Sequence, residues 1–223
     1  MIAAMAALAL AACGAPAGRG AKTPEPATKV EMGAEIALLR PDSVGGTTVD
    51  EALWNRRSSR EFAAEPLSLE ELSGVVWAAA GINRPANDHL TAPSALGLYP
   101  IRTYAFFREG VYSYDARAHK LTRVLEGDHR AVSGAQPFVA TAPLNLVYIA
   151  DLQTYEGKGI PEENVLMLCA MDAAGYAENV NLYTAGHALR SITRGSAAAD
   201  ELLSLLRLDP ARYRFILAQS VGK

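Results

Sequence analysis

Trp54-Asn55-Arg56-Arg57-Ser58-Ser59-Arg60-Glu61-Phe62 gathers three guanidinium groups and two hydroxyls within five residues. Such a set suits a phosphate. Arginine offers a planar fork of donors that meets two oxygens at once, and serine adds a neutral donor. The cluster sits where the apolar helical pattern Val49, Leu53, Trp54 runs out, before the turn at Pro66. The same residues also read as a solvated basic turn closing a helix, where the dipole favours cations.

A second stretch, Pro93-Ser94-Ala95-Leu96-Gly97-Leu98-Tyr99-Pro100, frames small residues between prolines. It reads either as a loop whose amides approach a flat ligand or as a plain ordered loop. Other chemistries lack their residues. His89, His119, His129 and His187 are scattered, and there is no His-Glu-x-x-His, Cys-x-x-Cys or EF-hand pattern, so no metal site is expected. A phosphate-binding Gly-x-x-x-x-Gly-Lys loop, a dinucleotide fingerprint following a strand and a Gly-x-Ser-x-Gly elbow are likewise missing.

The elements that must position these residues follow from capping signals and periodicity. Thr48 with Glu51 and Ser68 with Glu71 are capping-box pairs, so helices begin near residues 48 and 68. The second carries Leu69, Leu72, Val75, Val76, Ala79 and Ala80 at helical spacing and stops at Gly81. Residues 83–98 read as irregular. Ile101 to Phe107 and Val111 to Tyr114 read as a hairpin, Leu121 to Leu125 as a short edge strand, and Pro143 to Ala150 as a central strand. Glu162 to Leu189 is a long helical pattern with a small-sided middle at Ala170, Ala173, Ala174 and Gly175; a short helix over Asp200 to Leu208 and a strand over Tyr213 to Ala218 close the chain. Strands and helices without regular alternation argue an α+β domain over 30–223.

With 223 residues, half of them hydrophobic, the chain can bury a full core, and its net charge of −3 offers no basic face for nucleic acid. Residues 1–12 are uncharged and apolar but too short to span a bilayer, which fits a secretion signal without its usual positive start. Leu10-Ala11-Ala12-Cys13-Gly14 resembles a lipoprotein processing site, and residues 13–29 have tether composition. The expectation is an exported protein, lipid-anchored at Cys13 on the periplasmic side; a cytoplasmic protein with an Ala-rich start is the alternative. Cys13 and Cys169 are the two cysteines, and no internal disulfide is expected.

In order, Arg56 to Phe62, Val76-Trp77-Ala78-Ala79-Ala80-Gly81-Ile82-Asn83, Thr91-Ala92-Pro93-Ser94 with Tyr99-Pro100, Gly175 to Leu189 and the terminal Val221-Gly222-Lys223 form a series. It resembles the nitroreductase family of FMN-dependent oxidoreductases, and within it the SagB-type dehydrogenase branch. The resemblance implies a central, mainly antiparallel sheet flanked by helices, and a homodimer with FMN at the interface. It further implies that Arg56 and Ser58, with Arg57 beside them, grip the FMN phosphate and that Arg60 faces the N1/O2 edge of the ring. Pro93, Ser94, Ala95 and Leu96 then run along the ring and ribityl chain. The backbone of Arg194 and Gly195 approaches N5, and Lys223 adds a phosphate contact. Two departures stand out: Glu178-Asn179 where Gln-Asn is common, and His187-Ala188-Leu189 where Leu-Gly-Leu is common.

The function so implied is transfer of hydride through flavin N5 in two half-reactions, to or from a small organic substrate of nitroaromatic, quinone or azoline type. NAD(P)H is a candidate donor. A reading of another class is a non-catalytic exported module that uses the arginine cluster to hold a phosphorylated or acidic ligand.

Overall fold

Both capping boxes form. Thr48 accepts from the amide of Glu51 and Ser68 from that of Glu71, while each glutamate reaches back to the cap amide. They open α1 (Val49–Asn55) and α2 (Leu69–Ala80) in a computed structural model that describes residues 27–41 and 44–223. The signal-like segment, Cys13 and most of the tether composition lie outside the described residues.

The remaining elements are β1 (Glu35–Ala37), β2 (Ile82–Arg84), β3 (His89–Leu90), β4 (Ile101–Phe106), β5 (Gly110–Asp115), β6 (Lys120–Glu126), β7 (Leu144–Asp151), α3 (Glu162–Gly186), β8 (Arg190–Arg194), α4 (Ala199–Leu205) and β9 (Tyr213–Gly222). Seven strands form one sheet in the order β1-β6-β5-β4-β7-β9-β8, with every neighbouring pair antiparallel. β2 and β3 make a separate small hairpin.

Alternation along β7 shows why the sheet has two covered faces. Leu144, Leu146, Tyr148 and Ala150 join a core with α2 and α3, through Leu72, Val75, Val76, Ala173, Tyr176 and Val180. Val147 and Ile149 join a smaller core with Leu202 and Leu203 of α4. All eight residues of β7 are buried, as a strand covered on both faces requires.

Four expectations change. β6 is not an edge strand, because Glu35–Ala37 pairs along its outer side. The stretch 83–98 contains the β2/β3 hairpin. The helix read to Leu189 ends at Gly186, and β8 follows three residues later as a further strand. Finally, the apolar residues of α1 do not face the core: Val49, Leu53 and Trp54 are 69%, 55% and 89% exposed, and Ala52 alone in that helix is buried.

The turn from α3 into β8 explains one of the family departures. Ala188 stands at φ +57°, just past the helix end, in the left-handed region that glycine occupies without penalty. The amide of Leu189 closes the turn on Thr184 O at 2.9 Å. Ala188 is exposed, so no packing offsets the strain. Ala188→Gly should therefore stabilise the protein by about 0.5–1 kcal/mol, the left-handed penalty of alanine less the added freedom of glycine in the unfolded chain. The check is thermal unfolding, with the melting temperature rising by roughly 2 °C.

Candidate functional site

After α1 the chain leaves the helix in extended conformation at Arg56 and lies along the outer edge of β8. Ser58 bridges Ser191 in parallel, and the amide of Ser59 donates to Ser191 O at 2.9 Å. Further on, Ala63 N donates to Lys223 O at 2.8 Å, so the segment is tied to the sheet at both ends. Between this segment, β8 and the last turns of α3 lies a cavity of about 420 Å³, within the size range of small-molecule sites. Asn55, Arg57, Ser58, Ser59, Arg190 and Ser191 supply its polar wall, and Ala185, Ala188 and Leu189 an apolar one.

Charge is concentrated here without compensation. Arg56, Arg57 and Arg60 are exposed, and none of the ion pairs among the described residues includes them or Arg190. Arg57 Nε donates to Asn55 O at 3.1 Å and Arg190 Nη1 to Glu61 O at 3.3 Å, neutral acceptors that leave both charges free for an anion. Unpaired guanidinium groups beside hydroxyls suit an anion.

The far wall is held by a buried polar network. Asn181 Oδ1 accepts from Gln219 Nε2 at 2.7 Å and from Ser191 Oγ at 3.0 Å, and Thr184 Oγ1 lies 2.8 Å from Ser191 Oγ. Gln219 Nε2 also donates to Ala177 O, and its Oε1 accepts from Tyr148 Oη. Glu178 is exposed and accepts from Asn181 Nδ2 at 2.9 Å, so the departure at that position joins the same network.

The other sequence-derived candidates lie apart. Ser191 and Thr193 point toward α3, so strand alternation sends Arg194 to the opposite face of the sheet. Arg194 is 4% exposed, and its guanidinium donates to Ser133 O at 2.6 Å and Asn145 Oδ1 at 3.2 Å, while Nε has no partner. With neutral partners only, burial pulls it down to about 10. The side chain of Arg194 is therefore spent inside the protein. Gly195 is exposed, and a side chain there would meet nothing within 4 Å, so neither backbone nor packing in this chain demands glycine. Lys223 pairs with Glu65 at 2.6 Å and Glu71 at 3.5 Å, so its charge is partnered within the chain, and it does not line the cavity.

Pro93 to Leu96 dock elsewhere on α3. Ser94 Oγ donates to Asp172 Oδ2 at 2.5 Å and accepts from Tyr99 N at 2.8 Å. Pro93 and Ala92 pack beside Gly175. Asp172 precedes Asn181 by nine residues, or about 13 Å of helix. One chain thus brings Arg57 and Ser58 together with Arg190, Ser191 and Asn181, and leaves 93–96 outside that cavity. Sequence reasoning missed these last three. The polar pair Asn181 and Thr184, three apart within an otherwise sheet-facing helix stripe, was the available signal.

The family model for the nitroreductase family matches residues 53–223. A nitroreductase-like protein of Methanocaldococcus jannaschii is 29% identical over 191 residues, covering 79% of this chain and 92% of its own. A crystal structure of a nitroreductase-like protein from Ralstonia eutropha JMP134 superposes with a TM-score of 0.80 at 34% identity, over 91% of this chain and 95% of that one. Another, from Desulfovibrio desulfuricans in complex with FMN, does so with a TM-score of 0.55 at 21% identity, over 79% and 86%. The family match begins inside the helix that delivers the arginines and runs through the strand that closes the sheet, so fold and sequence agree that the chain belongs to the nitroreductase family.

Proposed function

We propose that the protein is an FMN-dependent oxidoreductase that exchanges hydride with a small organic substrate in two half-reactions. The observation that carries this reading is the set of Arg57, Arg190, Ser58 and Ser59 on the wall of a cavity of about 420 Å³ beside β8, with Arg56 and Arg60 exposed next to it along the chain and outside its lining. A phosphate dianion fits that donor set, whereas a neutral ligand would leave the charges without a partner.

FMN, when bound, supplies two-electron transfer at N5 of its ring, and a reductant such as NAD(P)H is the candidate donor. The protein's part is binding and charge. Arg56 and Ser58 hold the phosphate with Arg57 beside them, and Arg60 keeps a fixed positive charge near the carbonyl edge of the ring, where reduction places negative charge. Arg190 joins them as a further cation on the same wall. The apolar surface of Ala185, Ala188 and Leu189 keeps water from part of the cavity. Nitroaromatic and quinone substrates suit an open site of this kind; azoline oxidation, as in the SagB-type branch, runs the electrons the other way.

The site needs a second copy of the chain. In one chain, 93–96 and the arginine cavity stand about 13 Å apart along α3, and two apolar surfaces lie exposed: Val49, Leu53 and Trp54 on α1, and Leu166, Met167 and Met171 on α3. A homodimer burying these faces would bring the loop of one copy toward the arginines of its partner. Export and lipid attachment at Cys13 remain part of the proposal and rest on residues 1–29 alone.

Purified protein should show oxidised-flavin absorbance that releases as FMN on heating. A colourless protein that takes up no added FMN would favour the anion-binding module instead. Arg56→Ala should weaken FMN affinity at least about tenfold, since a charge-assisted donor to phosphate is lost; a variant that purifies fully loaded would remove Arg56 from the phosphate site. Met171→Glu should convert dimer to monomer in light scattering and lose FMN with it, because it buries a charge in an apolar interface. A monomeric wild type would refute the two-copy site.

A further inference from the structure

Asp172 has no place in the function just described, yet among the described residues it is the buried carboxylate that meets the 93–96 segment. It lies 4% exposed on α3. Its Oδ2 accepts from Ser94 Oγ at 2.5 Å and its Oδ1 from the amide of Ala95 at 3.3 Å. Ser94 Oγ in turn accepts from the amide of Tyr99. The carboxylate therefore holds the start of the turn 94–99, and Ser94 Oγ passes that hold on to its end at Tyr99. The only hydrogen of the Ser94 hydroxyl goes to Asp172, so it is not free to donate to a ligand.

That turn needs holding. Leu96 and Tyr99 stand at φ +56° and +49°, and Gly97 between them at +65°. Two bulky residues in the left-handed region are each costly, and such conformations persist only where the surroundings impose them. Leu96 is also 69% exposed, so no burial of its own explains its posture.

Resting on the FMN reading above, we infer that Asp172 is a positioning residue, which holds 94–99 in the strained shape that presents this segment to the cofactor without touching the cofactor itself. The arrangement has a cost that marks it as functional. None of the ion pairs among the described residues includes Asp172, and the groups facing it are Ser94 and Ala95 of the loop, Tyr155 before α3, and Cys169 and Tyr176 on α3 itself. Burial raises Cys169 to about 11 and Tyr155 to about 12, and pushes Tyr176 higher still, so these groups are neutral near pH 7 and supply no cation. Tyr155 Oη and Tyr176 Oη have no hydrogen-bond partner. Burial also raises the Asp172 carboxyl, against the pull of Ser94 and Ala95. With a folded-state pKa above the unfolded one, the folded protein holds that proton more tightly. The charged form thus lowers stability progressively as pH rises from the ordinary carboxylate range through the raised value.

The test is to titrate apo-protein with FMN, following flavin fluorescence, in wild type, Asp172→Asn and Asp172→Ala, and to melt the same apo-proteins. Asp172→Ala should weaken FMN binding at least about tenfold. Asp172→Asn, which keeps one acceptor, should weaken it by a smaller factor. At pH 7 the apo Asp172→Asn variant should melt above the wild-type temperature, and that advantage should disappear below about pH 3, where the wild-type carboxyl is protonated in both states. Affinity and stability moving in opposite directions is what a merely structural residue does not give. Asp172→Asn losing both together would overturn the inference, as would affinities within about twofold of wild type. Wild type that takes up no FMN overturns the functional reading and is recognised by that alone. Hydrogen exchange at Ala95 and Tyr99 in the apo-protein then decides the holding role: faster exchange in Asp172→Ala upholds it, and unchanged exchange refutes it.

Discussion

The site depends on how α3 is seated against the sheet, and a small buried polar network does the seating. Gln219 of β9 donates to Ala177 O and Asn181 Oδ1 of the helix and accepts from Tyr148 of β7, while Ser191 of β8 bonds Asn181 and Thr184. Apolar packing between helix and sheet is tolerant of small slips; a set of interlocking donors and acceptors is not, because a shift leaves several buried groups unpaired. The network therefore sets the rotation of α3 and the height of β8 beside it. The cavity, the docked segment 56–60 and the landing place of 93–99 all follow from that one registration.

Much of the scaffold was legible because the relevant signals are local. Thr48/Glu51 and Ser68/Glu71 give helix starts from two residues each, and the run Leu144 to Ile149 is too apolar for anything but an interior strand. What escaped were features decided by distant partners. β1 is three residues long and exists through its pairing with β6. β8 begins three residues after the helix, and its pairing with β9 rather than any local signal makes it a strand, so the helical pattern runs on through Leu189 and leaves 190–194 unassigned. The site was legible to the same degree. Arg57 and Ser58 line the cavity as their types suggest, but the direction in which Arg194 and Lys223 point is a matter of strand alternation and of Glu65 and Glu71 nearby, which no motif records.

The exposed apolar residues of α1 mark another limit of pattern reading. Val49, Leu53 and Trp54 have the spacing of a core-facing stripe, and the helix turns them outward. A stripe says that a face will be covered, and is silent on whether the same chain covers it. Its seven residues also make α1 short for an independent helix, so its capping box and its contact with α3 carry its order.

The segment 56–60 has a structural duty that its charges disguise. β8 is the last strand on its side of the sheet, and Ser58 and Ser59 engage that border through Ser191. An open border of this kind is where sheets add strands from other molecules and begin to aggregate. The arginine stretch thus acts as a guard rail as well as a ligand clamp. Changes that loosen it would register as a loss of solubility alongside any loss of binding, and like charges spread along the guard repel a second sheet that approaches it.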